Sequence, residues 1–500
     1  MRRILISLFL IVVSVLVVYG GIQPKGKKMV ELKVANDPTV SVKVWFKVGS
    51  QDDPKGKEGL SYITAQMLNE GGTIAKSYDK ILEELYPLAA GYSANAGTEM
   101  TMYTGRVHKD NLELYSKLFI EQLLSPGFRE EDLNRIKENA LNYLQKSLKY
   151  SNDEELGKQI LYQDIFAGTG YENSVVGTIS GIQSITINDV KNFFATYYNK
   201  NNYVLAIGGG YTEEYRDYLI KELSKLPEGK ENLTSAPEPK PISGLNVTIV
   251  EKDANATAIS MGFPIDVVRG SKEWYALAIA NSWLGEHRNS SSHLYQVIRE
   301  ERGLNYGDYS YIEHFPNGGR MQMPPTNVAR KKHIFEIWIR PVPNETRHFV
   351  LRAAMREFQS LVEAGMNEQD FATTKQFLKK YILHFAPNTE TRLGFAIDDL
   401  FYGIEEGHLT RYARMLDEIT LEDVNAAIKK HFQFKNMQIA VITPDAESFK
   451  KAIVSNVESP IVYSTPKSVD VLAEDKNIIN FPLNISDAKV RILTLEELFK

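Results

Sequence analysis

Val40, Val42, Val44, Phe46 and Val48 are apolar at every second position, and that period predicts a strand over Val40–Val48. Tyr203–Ile207 and Met437–Ile442 read as further strands, and Val247–Met261 as one long strand. Leu133, Ile136, Ala140, Leu141, Leu144 and Leu148 recur at helical spacing and predict one helix over 133–148. The N-terminus is different. Arg2 and Arg3 precede an almost unbroken apolar run, Ile4 to Val18, followed by Tyr19-Gly20-Gly21 and a polar stretch to Lys28. A basic start, an apolar run and small residues after it predict a secretion signal. The run is shorter than the roughly 20 residues of a membrane-spanning helix. Val18-Tyr19-Gly20 matches Ala-x-Ala poorly, so an uncleaved anchor is the alternative. The expected location is exported, periplasmic or extracytoplasmic, with membrane attachment through this segment as the variant.

The rest of the chain repeats once. Ile185-Thr186-Ile187-Asn188-Asp189-Val190 is echoed by Ile419-Thr420-Leu421-Glu422-Asp423-Val424. Phe128-Arg129-Glu130-Glu131-Asp132-Leu133 opens a helix in one copy, and Met366-Asn367-Glu368-Gln369-Asp370-Phe371 in the other. Ile165-Phe166-Ala167-Gly168 pairs with Leu400-Phe401-Tyr402-Gly403. The three offsets are 234, 238 and 235 residues, in the same order. Two copies of domain size mean a duplicated domain, not a solenoid. Pro227, Pro237, Pro239 and Pro241 cluster with charges at the join. The expected organisation is a signal or anchor over 1–28, a first domain over 29–225, a linker over 226–245 and a second domain over 246–455. The pattern assigns no role to the extension 456–500.

Composition narrows the chemistry. Forty-three per cent hydrophobic and 24 per cent charged residues mark an ordinary globular chain. A formal charge of −5 gives no general basic field for nucleic acid. With no cysteine, disulfides, thiolate zinc sites, iron–sulfur clusters and cysteine nucleophiles are excluded. The nine histidines form no His-x-x-Glu-His, His-Glu-x-x-His or His-x-x-x-His. Glu286, His287 and His293 lie close in sequence, but an ordinary polar loop is favoured over a metal site. Gly208-Gly209-Gly210 reads as a strand-end turn. Gly177-Thr178-Ile179-Ser180-Gly181 has its Ser one place late for a nucleophile elbow. Arg320, Arg330, Lys331 and Lys332 read as a solvated basic loop.

One segment carries a recognisable pattern. Gly59-Leu60-Ser61-Tyr62-Ile63-Thr64-Ala65-Gln66-Met67-Leu68 follows the first strand and a charged turn, with Leu60, Ile63, Met67 and Leu68 on one helical face. Together with Gly49-Ser50 before it and Gly72-Thr73 after it, this resembles the pitrilysin/insulinase family of zinc metallopeptidases. The family pattern is Gly-Leu-x-His-x-x-Glu-His-Met-Leu. The resemblance covers roughly residues 30 to 450. It implies an α+β fold: two homologous domains, each a mainly antiparallel sheet packed with helices, forming a two-halved shell.

Zinc hydrolysis needs two imidazoles one helical turn apart and a carboxylate to polarise the metal-bound water. At the matched positions stand Tyr62, Ala65 and Gln66. The third-ligand position falls on Tyr143 by helical register, or on Gln145 if the match slides two places. No carboxylate stands at either. Glu70, one turn beyond Gln66, reads as a solvated helix-end residue before a relocated ligand. The expectation is therefore no catalytic residue, no metal ligand and no cofactor, with zinc only in a partner chain.

Other parts of the pattern persist. Arg299 and Tyr306, seven residues apart and ending Gly303-Leu304-Asn305-Tyr306, match the pair that in the family reaches the substrate at the zinc. Gly91–Thr98, including Asn95 and Ala96, resembles the family's edge strand, onto which a peptide adds. The structural alternatives are a helix C-terminal cation with a half-buried aromatic, and a plain sheet edge. The resemblance implies a non-catalytic subunit that encloses peptide together with an active, zinc-containing insulinase-like partner. An active enzyme with displaced ligands, and a peptide-binding scaffold without such a partner, are the alternatives.

Overall fold

The computed structural model describes residues 29–499. The apolar N-terminal segment, with its signal-or-anchor reading, lies outside the described residues. Strands β1 (Met29–Lys33), β2 (Thr39–Phe46), β3 (Gly91–Ala96), β4 (Thr101–His108) and β5 (Tyr203–Gly209) form one sheet in the order β1-β5-β2-β4-β3. Strands β6 (Leu245–Glu251), β7 (Ala256–Ile265), β8 (Asp308–Tyr311), β9 (His333–Pro343), β10 (Met437–Thr443) and β11 (Val490–Thr494) form the other, in the order β11-β6-β10-β7-β9-β8. Without β11 the two orders are the same. In each half the first strand pairs parallel with the last, and the other pairs are antiparallel. The duplication read from the sequence is thus a duplication of sheet topology.

Each repeated motif has a local cause. Thr186 and Thr420 begin the helices Ile187–Tyr197 and Leu421–His431 as N-caps. Their hydroxyls accept from the Asp189 and Asp423 amides, and those carboxylates accept in return from the Thr amides at 2.8 and 3.1 Å. This is a reciprocal capping box. Ile165–Gly168 and Leu400–Gly403 mark the ends of Asp153–Ile165 and Thr389–Tyr402, where Gly168 and Gly403 take left-handed φ values of 81° and 72°.

Those two helices change sides. Asp153–Ile165 of the first half packs on β7, β9 and β10 of the second. Thr389–Tyr402 of the second half packs on β1, β2 and β5 of the first. One core accordingly joins Leu156 and Ile160 to Ala258, Ile334 and Ile442, and another joins Val30, Leu32 and Val204 to Leu393 and Ile397. Exchanging a helix covers the second face of each sheet and holds the halves together.

The segmentation differs from the sequence expectation in three places. Val247–Met261 is two strands, broken at Lys252–Asn255, with β10 between them in the sheet. Apolar residues on both sides of the break hide it. β1 was not expected, because a five-residue strand has too short a pattern to stand out. The helix over 133–148 is α-helical only to Asn142; from Tyr143 to Ser151 it is a π-helix, whose wider turn moves the later side chains off the 3.6-residue register.

The C-terminal extension acquires a place. β11 adds parallel to β6, and Leu495, Leu498 and Phe499 pack into the core of the first half. Lys149 pairs with Glu496 at 2.8 Å, and Arg491 pairs with Asp164 of the crossing helix. The helix Val469–Ile479 holds Arg302 through Glu474 and Asp475.

Candidate functional site

The motif helix is Leu60–Glu70, anchored by Leu60, Ile63, Met67 and Leu68 in the first core. Asp53 caps its start, accepting from the Gly59 and Ser61 amides at 2.7 Å each. Gly49 lies against the Gly97 and Thr98 carbonyls, where any Cβ would clash. The glycines and apolar residues of the motif therefore persist as packing features, independent of any metal.

Tyr62 and Gln66 lie one turn apart on the half-buried face of this helix, and Ala65 is fully buried. Burial pushes the Tyr62 phenol up, and the neighbouring Glu70 charge and Tyr143 phenol add to it. The Tyr143 phenol is pushed up by burial and by Glu155, against the opposing charge of Arg320. Both phenols therefore stay protonated near neutral pH. The Gln66 amide oxygen accepts from Asn69 at 3.1 Å. Glu70 is held by Arg135 at 2.9 Å, so it is a half-buried ion-pair residue and not the freely solvated residue read from the sequence. Two protonated phenols, an amide and a methyl group do not fit zinc. Among the described residues no group of three or more His, Asp or Glu side chains is placed to hold a metal ion.

The substrate-binding candidates lie on both halves. β3 is the outer strand of its sheet, with Asn95 exposed and Ala96 half-buried on it. The Asn95 amide donates to Ser93 Oγ at 3.3 Å. Arg299 lies in the π-helical turn Tyr295–Glu300, paired only loosely with Glu300 at 3.5 Å, and its Nε is buried without a partner. Tyr306 is 77% exposed. Among the described residues no hydrogen bond, ion pair or ring contact joins Arg299 or Tyr306 to Tyr62, Gln66 or Tyr143. The structure brings Tyr62 and Tyr143 together and leaves the Arg–Tyr pair separate.

Between the halves lies a cavity of about 190 Å³, bordered by Thr98, Tyr143, Glu155, Lys158, His314 and Arg330. The basic loop expected to be solvated is therefore partly interior. Arg330 is 3% exposed, and its guanidinium lies 4.5 Å from the centre of the Tyr162 ring. Lys158 donates to the Phe315 carbonyl at 2.6 Å. Glu336 beside them is wholly buried, and burial lifts its carboxyl to about 7. A run of charges in sequence does not reveal that a crossing helix will cover them. Residues 286–292 are the irregular polar loop expected, but with a histidine turned inward. His287 is buried between the Tyr311 hydroxyl at 2.8 Å and the Met321 carbonyl at 2.9 Å, and His293 pairs with Glu357 at 2.7 Å. The Glu286, His287 and His293 side chains do not converge.

Comparison with known proteins agrees with this geometry. Residues 28–179 match the model of the insulinase family (peptidase family M16), and residues 184–378 match that of the peptidase M16 inactive domain. Together these cover well over half of the sequence: the chain belongs to the insulinase, or M16, family. It is 24% identical over 464 residues to a "non-peptidase homolog YmxG" of Helicobacter pylori, covering 89% of this chain and 99% of that one. It is 22% identical over 425 residues to an uncharacterized zinc protease of Mycobacterium tuberculosis, covering 84% and 92%. A crystal structure of a peptidase M16 inactive domain from Pseudomonas fluorescens superposes with a TM-score of 0.74 at 23% identity, covering 83% and 95%. A protease from Helicobacter pylori gives 0.70 at 17% identity, covering 83% and 96%. This member is an inactive homologue of the peptidases.

Proposed function

We propose that the chain is the non-catalytic subunit of a peptidase, enclosing peptide together with an active insulinase-like chain that supplies the zinc. One observation carries this. Tyr306 is open to an incoming group and Arg299 is only loosely paired, on a chain whose own motif helix has nothing to activate water. A guanidinium can hold a peptide carbonyl or carboxylate through its forked donors. A phenol can donate to an oxyanion. Both groups need a metal-bound water supplied by another chain. The outer position of β3 supports a second contact, in which an extended peptide adds to the sheet edge at Asn95 and Ala96.

Reconstitution tests it. The chain is mixed with an insulinase-like protein whose His-x-x-Glu-His is intact, and cleavage of a quenched peptide is followed. Co-elution with raised turnover is expected. Separate elution with unchanged turnover would favour a scaffold without a proteolytic partner.

Export is part of the same proposal. It rests on Arg2–Val18. No helix among the described residues is long and apolar enough to cross a membrane. Fractionation should recover the protein outside the cytoplasm, either starting after about Lys28 or held at the membrane. Full-length protein in the cytosol contradicts it.

A further inference from the structure

The second half has its own cavity, of about 100 Å³, beside the helix Lys272–Gly285. That is room for a few waters or one small solute. This helix follows β7 as the motif helix follows β2, so it is the counterpart of the motif helix in the other copy. We propose that the cavity is a binding site for a small organic cation bearing N–H donors, an ammonium or guanidinium group, held by Glu286 and Asn281.

The acceptors come first. Glu286 lines the cavity, and among the described residues no Lys or Arg pairs with it. The Ser282 hydroxyl and the His287 amide lie beside it without closing a hydrogen bond. Asn281 Oδ1 is buried without a partner in the same wall. His333, 2% exposed, sits at the other end of the cavity beside Tyr402 and Arg269 and takes no part in holding the cation.

Charge decides the sign of the ligand. Glu286, Glu313 and Asp398 border the cavity, against one guanidinium, Arg269. Arg269 is already matched: Glu313 lies at 2.7 Å and Asp398 at 3.6 Å, and the rings of Trp274, Phe395 and Tyr402 stand 5.6–5.9 Å away. Carboxylates and aromatic faces around a cation are the chemistry that recognises one. The unpartnered donors, Trp274 Nε1 and Arg269 Nη1, are at this end, where two carboxylates oppose an incoming anion. At the Glu286 end the rings of Tyr311, Phe385 and Tyr412 line the wall and no cation is present.

The pH dependence separates this from other occupants. Burial lifts the Glu286 carboxyl to about 7. The groups facing it are the Tyr311, Tyr381 and Tyr412 phenols, all pushed up, and His287, pushed down to about 4. At the Arg269 end Asp398, lifted to about 6, and Asp399 behind it, lifted to about 7, also gain charge as pH rises, so Glu286→Gln is needed to isolate the part due to Glu286. Cation affinity should rise about tenfold over that interval as the carboxylate forms.

The experiment is a titration of the full chain with methylammonium chloride, read by melting temperature and calorimetry at constant ionic strength. Tetramethylammonium (a cation without N–H) and acetate are the comparison probes. Saturable binding of methylammonium is expected, tightening from pH 6 to 8, with at least tenfold loss in Glu286→Gln. The variant's melting temperature without ligand verifies its fold. Competition by a blocked lysine would identify peptide side chains as a source; its absence would restrict the site to free amines. Methylammonium acting no better than sodium overturns the proposal. So does acetate binding that strengthens as pH falls, or binding unchanged in Glu286→Gln.

Discussion

Tyr306→Phe is expected to lower turnover of the reconstituted complex by about 10²–10³, the usual consequence of losing one oxyanion donor. The phenol has one proton to give, and phenylalanine keeps the ring without it. Arg299→Ala should also reduce turnover, with a larger share of the loss in substrate affinity, because a guanidinium holds the peptide and does not activate water. Assembly and partner zinc content should be unchanged in both. Tyr306 is exposed, and the pairing of Arg299 with Glu300 is an open ion pair worth about 0–1 kcal/mol. The measurement is steady-state cleavage with each variant, alongside gel filtration and metal analysis of the complex. If both variants leave turnover intact, the two residues are structural survivors of the ancestral pattern and the scaffold reading replaces the subunit reading.

Three residues beyond Arg299, Arg302→Ala should cost about 3–5 kcal/mol of stability. The Arg302 side chain is wholly buried. Its Nε donates to Asp475 at 2.9 Å, one Nη to Glu474 at 2.9 Å, and the other to the Val297 carbonyl at 2.7 Å. Asp475 is buried too, with Tyr463 donating to its second oxygen at 2.9 Å. Removing the guanidinium strands that carboxylate and detaches the helix Val469–Ile479 from the second half. Arg299→Ala, which breaks only an open pair, should stay within about 0.5 kcal/mol. Urea denaturation of both variants makes the comparison. A loss under about 1 kcal/mol for Arg302→Ala would mean that the C-terminal helix is not anchored there.

The duplicated architecture was legible because its markers are local. Thr186 with Asp189 and Thr420 with Asp423 form caps within four residues, and such signals survive in sequence whatever the tertiary context. The exchange of Asp153–Ile165 and Thr389–Tyr402 was not legible. Each helix is apolar on the face it buries, but nothing in its period says whose sheet it meets. The same gap hid the interior placement of Arg330 and Lys158, which the crossing helix creates. The departures at Tyr62, Ala65 and Gln66 stand out in the sequence because the packing residues around them, Leu60, Ile63, Met67 and Leu68, keep their places. The π-helix from Tyr143 onward does not, since it preserves apolar residues while changing their register. The C-terminal extension was opaque because β11 is five residues long and gains its meaning only beside β6.

The central claim is that this chain has no metal chemistry of its own. Metal analysis of the purified chain after exhaustive dialysis, with a quenched-peptide assay on the same sample, tests it most directly. Far less than one zinc per chain and no cleavage are expected. One tightly held zinc per chain, with cleavage abolished by a chelator, would contradict it.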